Sequence, residues 1–200
     1  MIRLLLRLML LLIMICGLAI SAILLQPRND AQMRAFFSPP QGCAAPCFLG
    51  IRPGVTSEAE ALALLHAQPW IGQIVPENQG VSWSWNGQQP SFVSNYTTSL
   101  LLGRIDFRSG VVSQIRIATT TIWAEFYFLF GPPDRVIYAT NSTPSLRYQV
   151  YDGAYTAPGF EVETETQCPV TSHEATWFST VLITWPISGP ALSDQTTGIC

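Results

Sequence analysis

The chain contains no lysine: all ten basic residues are arginine, and charged side chains make up only 12% of its 200 residues. That is about half the usual share, which excludes charge-rich disorder, a long solvated coiled coil and a histone-like basic tail. Histidine is scarce as well, with only His66 and His173, far apart in sequence and outside any ligand or catalytic spacing. Metal sites draw on clustered His, Cys or carboxylates, so neither a metal nor any other cofactor is expected. After Leu25, eight arginines face thirteen acids, a net charge of −5, which argues against nucleic acid as a partner. There is no G-x-S-x-G elbow. In Cys43-Ala44-Ala45-Pro46-Cys47 three residues separate the cysteines, where a thioredoxin-like redox motif has two.

What is present begins with a hydrophobic N-terminus. Arg3 and Arg7 precede eighteen uncharged residues, Leu8 to Leu25. As a helix this run is about 27 Å long, close to the roughly 30 Å of bilayer hydrocarbon. Ala19-Ile20-Ser21 fits a cleavage site, but Ile23-Leu24-Leu25 extends the apolar run past it, so an uncleaved signal anchor over residues 1–25 is expected. Arg28 and Arg34 beyond the run offset Arg3 and Arg7, and charge alone does not orient the segment. Cys43, Cys47, Cys168 and Cys200 do, because an even set of cysteines behind an export-type N-terminus marks an oxidising compartment. The domain is therefore expected outside the cytoplasm, on a single-pass membrane protein. Pro46 bends the chain between Cys43 and Cys47, so these two are expected to pair, leaving Cys168 with Cys200.

Residues 26–42 have no sustained period and end near Pro39-Pro40, which reads as a tether. Ser57 and Glu60 then have capping-box spacing before a Leu- and Ala-rich run, predicting a helix over 58–67 that Pro69 ends. Val81-Ser82-Trp83-Ser84-Trp85 alternates strictly and closes on Asn86-Gly87, a hairpin signal. A second hairpin turns at Ser109-Gly110 between Arg104–Arg108 and a strand carrying Val111, Ile115 and Ile117. Residues 121–130, rich in aromatics, suit either a strand or a buried helix; Gly131-Pro132-Pro133 favours the helix. Strands are expected at 135–139, 146–151, 160–166 and 177–185. The fold class is α+β, with two tandem units, 43–118 and 119–200, each one helix plus an antiparallel meander.

Gly50-Ile51-Arg52-Pro53-Gly54-Val55-Thr56-Ser57-Glu58-Ala59 resembles the helix entry of SmpA/OmlA-type envelope lipoprotein domains. The hairpin Ile105–Ile115 and the exit Leu129-Phe130-Gly131-Pro132-Pro133-Asp134-Arg135-Val136 are similar to later motifs of that group. Tandem-repeat β-lactamase inhibitor proteins share its fold in outline. The chain departs from the group in lacking a lipobox, in its four cysteines beyond the anchor and in placing the exit motif only in the second unit. The resemblance implies a non-catalytic binding scaffold facing the envelope.

Two surfaces stand out as candidate contacts. Trp83 and Trp85 share a strand face, where they either stack on a glycan or partner or, with Val81, belong to the core. Glu161, Glu163 and Glu165 alternate on another strand, and the region after residue 120 has eight acids against Arg135 and Arg147, which favours a basic partner patch. The expected function is a membrane-anchored extracytoplasmic binding or envelope-assembly module whose partner is another envelope protein or a glycan. The alternatives are a carbohydrate-binding module built on Trp83 and Trp85, or a hydrolase or thiol-redox enzyme.

Overall fold

Ser57 starts the first helix of the folded region in the way its spacing predicts. Its side chain accepts from the Glu60 amide, and the Glu60 carboxylate accepts from the Ser57 amide at 3.0 Å. In this computed structural model the described residues are 2–24, 30–93, 103–142, 147–169 and 174–187. Two compact units are distinguished, Met1–Gln32 and Met33–Cys200.

The first unit contains helix α1, Ile2–Leu24. Its side chains are described at residues 7, 9–18 and 21, and those from Met9 to Ile15 and at Leu18 are exposed. Among the described residues no helix is long and apolar enough to cross a membrane, so the crossing expected for 8–25 rests on the sequence alone.

The second unit is built on one antiparallel sheet. Helix α2 (Asp30–Phe37), which belongs to this unit from Met33 onward, and helix α3 (Glu58–His66) come first, then strands β1 (Ile71–Glu77), β2 (Gly80–Trp85), β3 (Gly103–Arg108) and β4 (Val111–Ile122). Helix α4 (Trp123–Phe130) leads to β5 (Arg135–Ser142), β6 (Arg147–Tyr155) and β7 (Phe160–Gln167), and the short α5 (Glu174–Trp177) precedes β8 (Thr180–Pro186). The eight strands are ordered β1-β2-β3-β4-β8-β7-β6-β5. Each half is thus a helix followed by a four-stranded antiparallel array. The halves do not stand apart, however, because β4 pairs with β8 and closes them into one sheet.

One face of that sheet is apolar. Trp83, Ile105, Ile115, Ile117, Val162, Ile183 and Trp185 alternate inward along its strands and are fully buried. Helices α3 and α4 cover this face with Ala61, Leu65, Trp123, Phe126 and Leu129. Phe126 lies 5.6 Å from Phe160, and Phe48 lies 4.6 Å from Trp185, so residues from both halves share one aromatic core. The ambiguous segment 121–130 is β4 up to Ile122 and helix from Trp123, because Trp123, Phe126 and Leu129 recur at helical spacing over the sheet.

Three expectations are corrected. The segment 26–42 is not a plain tether: α2 forms within it, and Met33 and Phe37 are buried in the core, with Phe37 5.7 Å from Phe126. Asn86-Gly87 does not turn a tight hairpin. Asn86 instead donates from its amide and its Nδ2 to the carbonyls of Trp70 and Pro69 and accepts from the Gln88 amide, so it ends β2 by tying it to the α3–β1 connection. The tight hairpin at β2 lies before it, Glu77 pairing with Gly80 around Asn78-Gln79. β1 was not foreseen, since Gly72 and Pro76 break its pattern and it is an edge strand with a bulge. The Ser109-Gly110 hairpin is present, with φ of 54° and 74° as a type I′ turn requires.

Candidate partner-binding face

The second face of the sheet carries no helix among the described residues, and strand register sets its side chains side by side. Along one row Arg104 on β3 stands opposite Arg116 on β4, Arg116 opposite Thr184 on β8, and Thr184 opposite Glu161 on β7. Two residues along, Ala118 faces Leu182, Leu182 faces Glu163, and Glu163 faces Asp152 on β6. Cross-strand neighbours of this kind interact directly, and like charges placed opposite one another repel.

The arginine pair is bridged. Asp106 accepts from Arg104 Nε at 2.6 Å with one carboxylate oxygen and from Arg116 Nη2 at 2.8 Å with the other. Arg104 also pairs with Glu77 on β1. The Asp106 hydrogen bond is the main reason that Arg104 holds its proton even more tightly than a free guanidinium. Around the end of these strands runs an open groove of about 1070 Å³, whose lining includes Glu58, His66, Glu77, Arg104, Asp106 and Ser109.

The acidic pair has no such bridge. Asp152 and Glu163 make no ion pair among the described residues, and Asp152 Oδ1 is buried without a hydrogen-bond partner. Burial, with the charges of Glu161 and Glu163 added, pushes the Asp152 carboxyl up to about 7. Glu163 is raised for the same primary reason, with Glu165 adding to the shift and Arg116 partly opposing it. Glu161, Glu163 and Glu165 therefore lie on the uncovered face as expected, but Glu163 is half-buried there and not freely solvated.

The tryptophans divide. Trp83 is fully buried, 5.7 Å from Trp85 in an edge-to-face contact, and lies directly over Gly103, where an added Cβ would come within 2.0 Å of the indole. It has no exposed surface to offer a sugar. Trp85 is half-buried against Trp70 at 5.3 Å. Cys43 and Cys47 are disulfide-bonded to each other, with Cα atoms 6.1 Å apart. Cys168 is disulfide-bonded as well, while Cys200 lies outside the described residues. His66 is exposed at the end of α3 with no hydrogen bond to a carboxylate among the described residues, and His173 falls outside them.

Sequence reasoning reached the outward-facing residues of β3 and β7 but missed how they meet. Arg104-x-Asp106 is visible as an alternation on one strand. That Arg116 completes the bridge, and that Asp152 lands opposite Glu163, follows from pairing between strands. The chain matches no family model, no curated protein and no solved structure.

Proposed function

We propose that this protein is a non-catalytic binding module, anchored by residues 8–25 with its folded unit outside the cytoplasm, and that the uncovered sheet face takes another envelope protein. The observation that supports this reading most is the Asp152–Glu163 pair. Two carboxylates are set opposite each other in a half-buried site with no ion pair to either among the described residues, Arg116 only partly offsetting the charge on Glu163, an arrangement that disfavours the isolated chain. A partner bringing arginine or lysine to that row would relieve the repulsion and gain charge-assisted hydrogen bonds. The disulfide Cys43–Cys47 supports an oxidising compartment. The helix-plus-meander repeat supports the resemblance to envelope lipoprotein domains.

A photo-crosslinking residue placed in the full chain at Glu165, which is exposed on this face, tests the reading. The expected result is a defined protein adduct in intact cells that a probe at Ala59, exposed on α3, does not form, and that Glu163→Arg weakens about tenfold or more by turning attraction into repulsion. Equal adducts from both positions would refute the assignment of the face. An adduct with glycan alone would return the carbohydrate reading, and loss of capture on His66→Ala would point to the enzyme alternative.

A further inference from the structure

The helix-covered side of the folded unit carries an aromatic surface whose two phenylalanines the core does not use, beside a half-buried tryptophan that rests against it. On α4, Trp123, Phe126 and Leu129 turn inward, whereas Phe128 is 82% exposed. Phe178, just after α5, is 68% exposed. Trp177 joins them, 6.4 Å from Phe128 and 5.2 Å from Tyr127. Such a group of rings facing water is unusual for an outward helix position, where a polar side chain is the rule. Its make-up of phenylalanine with Trp and Tyr is that of side chains that settle at a membrane interface.

Two observations indicate what covers it. First, the chain enters the folded unit beside it: Arg34 donates to the carbonyl of Leu129, the neighbour of Phe128, and stacks 5.5 Å over Phe130. Second, only eight residues, 25–32, lie between the end of α1 at Leu24 and Met33, the first residue of the unit, so the chain between them can span at most about 30 Å. A surface at the chain entry therefore lies within reach of any bilayer that holds α1.

We infer that Phe128, Trp177 and Phe178 insert into the lipid headgroup region, seating the helix-covered side on the membrane and turning the bare sheet face away from it. This rests on the anchor reading above. The occupant is a lipid surface and not a sugar, because the two most exposed members are phenylalanines, which offer hydrocarbon and no hydrogen bond. The contact is apolar, so it holds on zwitterionic vesicles and resists salt.

The test is the full chain reconstituted in phosphatidylcholine vesicles, with and without acyl chains brominated near the glycerol end. Bromine quenches only indoles it touches. The expected result is a quenched tryptophan component in the wild type that is lost in Trp177→Phe and reduced in the exposed-site double variant Phe128→Ser/Phe178→Ser, with the circular dichroism of both unchanged. Quenching that is absent from the wild type, or identical in Trp177→Phe, overturns the docking while alkaline carbonate extraction reports on the anchor separately. Release by carbonate refutes the anchor, and docking falls with it; retention without Trp177 quenching refutes docking alone and leaves the patch to a protein partner.

Discussion

The two halves of the sheet face the same electrostatic problem and solve it differently. In the first half Arg104 and Arg116 are set opposite each other, and Asp106 bridges them. In the second half Asp152 and Glu163 are set opposite each other with no ion pair among the described residues, and the response is protonation, Asp152 rising to about 7. The first arrangement is complete within the chain, whereas the second is eased in part by Arg116 and further by a proton or by an added cation. This asymmetry is why the proposed partner is placed on the acidic row and not on the arginine row.

The strongest way to break the comparison is to ask whether the halves are separable at all. Trp185 is fully buried at the β4–β8 junction and touches Phe37, Phe48 and Phe160. Trp185→Ala is expected to destabilise by about 3–5 kcal/mol through the cavity it leaves. Denaturant unfolding followed by near-ultraviolet circular dichroism should stay a single transition, and two resolved transitions would show that the halves are independent.

Removing one carboxylate from each half sharpens the contrast, since the same change should have opposite signs. Asp106→Asn leaves two opposed arginines unbridged and should cost about 1–2 kcal/mol at pH 7.5. Asp152→Asn should instead stabilise at that pH by about 1 kcal/mol, the pKa shift being discounted because the group is partly exposed. The pH dependence follows from the same shift. Between about pH 4 and 7 folded Asp152 holds a proton that the unfolded chain has released, so stability falls as pH rises through that window and is regained on acidification. Thermal melts from pH 5 to 8 should show this slope in the wild type and a shallower one in Asp152→Asn. If the slope is unchanged, the burial argument for Asp152 fails.

The smallest expected effect lies outside the sheet. Ser57→Ala removes the cap of α3 and should cost about 1 kcal/mol, read from the shift in the urea midpoint at constant slope. A loss confined to the first half, with the second still protected from hydrogen exchange, would again argue for separable halves.

Much of the local architecture was legible beforehand. The α3 capping box, the Ser109-Gly110 turn and the helix stop at Gly131-Pro132-Pro133 are each set by residues within a few positions of one another, where propensity and hydrogen-bond geometry act directly. Helix α2 was not legible because only Met33 and Phe37 of its eight residues are buried, too few to print a period. Asn86-Gly87 carried the right residues for a hairpin, but its hydrogen bonds to Pro69 and Trp70 come from outside its own neighbourhood.

The amino-acid sequence by itself determined the apolar N-terminal run, the α+β class and the acidic balance of the region after residue 120. Only the tertiary structure decided that Trp83 is core while Trp85 is half-buried, that the two arrays share one sheet, and that Asp152 stands opposite Glu163. Those outcomes depend on register between strands, and the β4–β8 seam joins residues 58 to 72 positions apart. A shift of one residue there would send every side chain of β8 to the other face, and that choice is made by the shared core around Trp185 and not by any local pattern.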